Sequence, residues 1–187
     1  MTTQRENKMG TWPENKLLLN MSVPIMISML VQALYNVVDS YFVAQVAHGE
    51  EALTALTLAF PVQNLMIAVG VGIGVGMNAL LSRSLGEKRQ DKANLIAMQG
   101  ILLALICGVL FIGIGFFSKT FITMQTTNSI VIDYGTEYLT ICSMLSFGIF
   151  LQIIFERLLQ ATGRSMLSMV TQGVGAITNI ILDPLLI

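Results

Sequence analysis

From Leu17 onward the sequence is a succession of apolar runs, separated by short charged or turn-rich breaks. The runs cover about 17–46, 52–81, 93–117, 130–159 and 166–187. Each is long enough for a helix to cross a hydrocarbon core, which takes about 20 residues. Lipid offers no partner to a backbone N–H or C=O, so only helices and closed barrels span it. Barrel strands would be about 10 residues long with strict alternation, and no such alternation is present. The expected fold is therefore an all-α integral membrane protein, a bundle of five transmembrane helices. Composition agrees, with 54% hydrophobic and 11% charged residues and a mean hydropathy of +0.73; ordinary soluble domains carry about 25% charged residues. A soluble enzyme is excluded, and no catalytic constellation is visible. A net charge of −1 without a basic stripe gives no sign of a nucleic-acid partner. Cys107 and Cys142 lie inside apolar runs and read as small packing groups; no cofactor is expected.

The breaks set the orientation. Arg5, Lys8 and Lys16 precede the first run, Arg83, Lys88, Arg89 and Lys92 follow the second, and Arg157 and Arg164 flank the loop before the fifth. Nine of the ten basic residues thus fall on one side, with Lys119 alone on the other. The positive-inside rule makes that side cytoplasmic. Residues 1–16 are then a cytoplasmic segment, and 17–187 a multi-pass bundle in the cell inner membrane. The first run has no small-residue cleavage pattern after it, so it is expected to stay as a span. Gly86 is a candidate C-cap for the second span, and Asn128 an N-cap for the fourth. Glu156 and Arg157 read as an interfacial pair at the cytoplasmic end.

Gly70, Gly72, Gly74 and Gly76 alternate in the second span. Inside an apolar run they do not form a nucleotide loop, which needs a strand before it and a helix after it. Two overlapping pairs at a spacing of four suit close helix packing with some freedom to slide.

Polar groups inside spans carry the functional signal. In the first span Ser28, Gln32, Tyr35, Asn36 and Asp39 are spaced by three or four and form one stripe. The fifth repeats this with Ser168, Gln172, Asn179 and Asp183. Such faces are costly in lipid and are expected to face the bundle interior or water. At about 1.5 Å per residue both carboxylates reach the outer half of the bilayer and can share a site. Ionising a carboxylate near the membrane centre costs on the order of 2.5–3.5 kcal/mol, so its charge depends on a bound cation or proton. Pro184 leaves the Ile180 carbonyl without its helical donor, and Pro24 sits early in the first span; both are candidate bend points.

The stretches "YNVVDSYFVAQVAHGEEALTALTLAFP", "SRSLGEKRQDKA", "LLQATGRSMLSM" and "NIILDPLLI", in this order, resemble the N-terminal half of multidrug and toxic compound extrusion (MATE) transporters, especially the DinF- and MepA-like bacterial branch. The resemblance implies an antiporter of twelve helices in two lobes, exporting cationic drugs or other organic compounds in exchange for H⁺ or Na⁺. It matches Asp39, Asn179 and Asp183 to the N-lobe coupling-ion site, where Na⁺ would also bind, and Pro24 to a first-helix proline associated with bending. Ala44 and Arg164 depart from the family pattern, away from that site. With five spans the sequence is expected to be an N-terminal fragment, its missing partner the C-lobe, and not transport-competent alone. Two other readings compete: a lipid-linked saccharide flippase of the same superfamily, which tends to line its cavity with basic residues, and a non-transporting membrane interaction fragment. The residues leave open the substrate, the choice between H⁺ and Na⁺, and the oligomeric state.

Overall fold

A computed structural model describes residues 13–45 and 49–186, with side chains through 182. Among the described residues every element is a helix: α1 (Glu14–Val43), α2 (Gly49–Gly86), α3 (Gln90–Gly115), α4 (Ser118–Thr123), α5 (Ser129–Met144), α6 (Ser146–Ala161) and α7 (Ser165–Leu186). Helices α1, α2, α3 and α7 are each long and apolar enough to cross a membrane, and α5 with α6 make a fifth crossing bent by 50°.

That bend differs from the single uninterrupted helix expected over 130–159. Helix α5 starts where expected, the Asn128 Oδ1 accepting the Ile130 N–H at 3.0 Å. It stops at Leu145, between Ser143 and Ser146. Both serines are fully buried. The Ser146 hydroxyl donates to the Gly108 carbonyl of α3 at 3.1 Å, and the Ser143 side chain packs where a Gly115 Cβ would stand. Serine and glycine pairs are a common cause of kinks, and here the kink lets the fourth crossing stay against α3 along its length. The third span also ends earlier than expected, at Gly115, and the chain turns into the short α4.

Helices α2, α3, α5 and α6 form one block around Met66, Met77, Phe111, Phe150 and Ile154. The Phe111 and Phe150 rings meet at 5.4 Å. Lipid tails are as apolar as leucine, so this block depends on close fit rather than on escape from water. Small residues on α3 provide that fit: Gly100, Ala104, Gly108 and Gly115 are all buried on one face. A Cβ on Gly108 would lie 2.9 Å from the Phe147 Cα of α6, so the two backbones touch. Helices α1 and α7 make their most extensive contact with each other and touch the block only lightly.

The helix ends follow local rules with one exception. At the end of α6, Gly163 adopts φ 75°, the Arg164 N–H reaches the Leu159 carbonyl at 2.9 Å and the Gly163 N–H reaches the Gln160 carbonyl at 3.0 Å. This is a Schellman motif with glycine at its left-handed position. The same pair of bonds closes α2, Arg89 to Ser84 at 3.0 Å and Lys88 to Leu85 at 3.1 Å, but the left-handed residue is Lys88, at φ 56°. Gly86, the expected cap, is still helical. Glu87 brackets this strained turn, receiving the Arg83 Nε at 2.9 Å with Arg89 at 3.9 Å. The Arg83 hydrogen bond holds the Glu87 carboxyl below its ordinary range, so this exposed clamp is present at neutral pH and is lost as acid protonates it.

Two outcomes follow from this packing. Gly108→Ala is expected to destabilise the bundle by about 1–3 kcal/mol through overpacking, whereas Gly113→Ala, with nothing within 4 Å, stays within about 0.5 kcal/mol; denaturation in mixed micelles measures both. Lys88→Gly relieves left-handed strain and raises stability by about 1 kcal/mol, while Gly163→Ala lowers it by about 1–2 kcal/mol.

Candidate functional site

On α1 the protected positions include Leu17, Met21, Pro24, Ser28, Val31, Tyr35, Val38 and Phe42. Their spacing alternates four and three, the repeat of a helix seam. On α7 the matching protected residues are Ser165, Ser168, Gln172 and Ala176. Apolar, small and polar side chains are mixed on both helices, so the seam between them is close-packed yet polar in places. Alternation of the crossings makes the two helices parallel, which brings the C-terminal ends of both to the same face.

The seam divides the polar stripe of α1. Tyr35 and Asp39 are half-buried, whereas Gln32 and Asn36 are exposed beside them. On α7 Ser168 is buried, Gln172 is half-buried and Asn179 is exposed. The Gln172 Oε1 is buried and accepts no hydrogen bond, an open acceptor that a cationic or hydroxyl-bearing group would satisfy. Asp183 and Pro184 lie on the helical backbone of α7, which continues to Leu186; their side chains fall outside the described residues. Pro24 is buried inside α1, and its carbonyl accepts the Ser28 hydroxyl at 2.9 Å. With no N–H on Pro24, the Asn20 carbonyl loses its usual donor, so the ladder is weakened one turn before the seam enters its polar half.

The structure adds residues that the sequence reading passed over. Gln63 Nε2 of α2 donates to Tyr138 Oη of α5 at 2.7 Å. Tyr138 also interacts with Cys142 one turn along. Asp39 itself lies four residues before the end of α1, the helix that touches the block only lightly. The available signal was a polar residue in each of two apolar spans, Gln63 and Tyr138, but they are 75 residues apart and no periodicity within a helix relates them.

The glycine run is divided as well. A Cβ on Gly70 would meet Ile153 at 2.7 Å, and one on Gly74 would meet the Arg157 stem at 2.8 Å. Gly72 and Gly76 have nothing within 4 Å. Close packing falls on one of the two glycine pairs, and it is made with α6. Glu156 and Arg157 do not pair directly: Gln160 stands between them, donating to Glu156 at 2.9 Å and accepting from Arg157 at 2.8 Å.

Residues 24–185 match the MatE family model. Among curated relatives, the multidrug export protein MepA of Staphylococcus haemolyticus is 27% identical over 92% of this chain and 38% of its own length. MepA of Staphylococcus aureus, strain MRSA252, is 27% identical over 94% of the chain and 39% of its own length. Among solved structures, the MATE multidrug transporter DinF-BH superposes with a TM-score of 0.88 at 33% identity, covering 94% of this chain and 40% of that one. A MOP superfamily transporter from Pyrococcus furiosus superposes with a TM-score of 0.90 at 27% identity, over 98% and 40%. The chain thus spans about two-fifths of the length of these relatives, and its helices match their N-terminal lobe. With the matched segment covering most of the sequence and the fold superposing throughout, the chain belongs to the MatE family of multidrug efflux transporters.

Proposed function

We propose that these residues are the N-terminal, ion-coupling part of a secondary antiporter that exports cationic drugs or other organic compounds in exchange for H⁺ or Na⁺. The protein lies in the inner membrane with its N-terminus in the cytoplasm. The observation that carries this reading is the intimate packing of α1 against α7, the two helices that bear the intramembrane carboxylates. Asp39, Asn179 and Asp183 hold the coupling ion. Gln172 supplies an amide oxygen deeper in the seam.

Coupling follows from charge in a poorly hydrated place. An ionised carboxylate costs on the order of 2.5–3.5 kcal/mol there, and a bound proton or Na⁺ removes that cost. A difference of this size shifts a two-state equilibrium on the order of a hundredfold. The helix positioned to respond is α1, whose hydrogen-bond ladder is already interrupted at Pro24 and whose contact with the block is slight. Loading the site relaxes α1 and releases the organic cation outward. In relatives of full length a second lobe supplies the other wall of the cavity, and alternating access moves one lobe against the other. Residues 1–187 alone bind the ion without moving substrate.

The test uses a transporter of the relatives' full length that carries residues 1–187 as its N-terminal part, expressed in an efflux-deficient bacterium. Asp183→Asn and Asp39→Asn are each expected to reduce drug resistance to the empty-vector level, with membrane abundance unchanged. Undiminished resistance in both variants would contradict the coupling role.

A further inference from the structure

Helix α6 carries a carboxylate that none of the foregoing uses. Its core face, Phe150, Ile154 and Ala161, is buried in the block. Ile153 and Arg157 face α2, against Gly70 and Gly74. Gln152 and Glu156, spaced by four, share a further face that turns away from the core, Gln152 exposed and Glu156 half-buried. An acid inside a span normally pairs with a base. Arg157 is adjacent in sequence but is turned aside: its stem lies over Gly74, its Nη1 is committed to Gln160, and its Nε is buried without a partner. Gln160 is 4% exposed and uses both ends of its amide, the oxygen toward Arg157 and the nitrogen toward Glu156. This pair of hydrogen bonds fixes the orientation of the Glu156 carboxylate while holding the neighbouring guanidinium one amide away from it.

We propose that Glu156 is a recognition carboxylate, which receives the positive charge of a lipophilic organic cation at the end of the bundle opposite the coupling-ion residue Asp39. The inference rests on the efflux reading and adds a residue to it. Asp39 lies four residues before the end of α1 and Glu156 five before the end of α6, and in alternating crossings these ends are on opposite sides. Glu156 is then a substrate station near the cytoplasm, and Asp39, with the coupling ion, lies near the exterior. An oriented carboxylate beside a Gln152 amide suits an amphipathic cation, whose charge meets the acid and whose apolar rings meet the adjoining apolar side chains. A neutral compound of the same shape gains nothing from it. Gln160 and Arg157 act as positioning residues, holding the acid rather than touching the ligand.

The test uses the 187-residue chain in nanodiscs with tetraphenylphosphonium as the probe. Dicyclohexylcarbodiimide labels membrane-embedded carboxyl groups, and mass spectrometry reads each site. Tetraphenylphosphonium is expected to reduce labelling of Glu156 by about tenfold, the scale of a charge-assisted contact, with Glu87 in the exposed loop unaffected. Glu156→Gln, which keeps an acceptor for Gln160, is expected to weaken tetraphenylphosphonium binding by about tenfold with unchanged helicity. Protection at Asp39 without protection at Glu156 would overturn this inference and leave the efflux reading standing. Protection at neither would overturn the inference, the efflux reading being judged separately by the drug resistance of the Asp39 and Asp183 variants, and undiminished affinity in Glu156→Gln would also overturn the inference.

Discussion

A bilayer gives apolar side chains no reason to leave lipid for one another, so the association of these helices rests on how closely their backbones can approach. The contact of Gly108 with the Phe147 backbone is a direct expression of that constraint. Around it the other features fall into place. Ser143 and Ser146 fit the grooves left by Gly115 and Gly108, and the fourth crossing kinks between them to keep that contact. Gly70 and Gly74 admit Ile153 and the stem of Arg157. The product is a block of α2, α3, α5 and α6 in which little can move without separating backbones.

The pair α1 and α7 is built differently. Its seam uses Pro24, Ser28, Tyr35 and Gln172 in place of a glycine stripe, includes an amide oxygen with no partner, and meets the block lightly. A tightly packed block and a polar pair that touches it only lightly are a division suited to coupling: the block gives a fixed reference, and the pair carries the carboxylates. Tyr138 and Gln63 belong to the block, and Asp39 belongs to the pair.

Much of this was legible in the sequence, and what was not has a common physical cause. Apolar length alone located the crossings, because lipid demands it. The polar stripes of α1 and α7 stood out because lipid penalises them. The kink at Leu145 was also written, as Ser143, Ser146 and Gly148 within a few residues, but its meaning depends on Gly108 and Gly115 of another helix. The alternating glycines drew attention to α2, whereas Gly100, Ala104 and Gly108, a spacing of four, were the stronger packing signal. The Gln63 to Tyr138 bond and the Gln160 bridge depend on register and side-chain direction between or along helices, which residue spacing does not report. Lys88 took the left-handed position expected of a glycine because two arginines and Glu87 hold the turn around it.

The central claim is that the C-terminal ends of α1 and α7 place Asp39 and Asp183 in one chamber. The most direct measurement is the distance between spin labels at cysteines introduced at these two positions, by pulsed and continuous-wave electron paramagnetic resonance on the chain in nanodiscs. Packed helices set their axes about 8–10 Å apart, so strong dipolar broadening is the predicted result. A separation of two helix diameters, about 20 Å or more, would contradict a shared site.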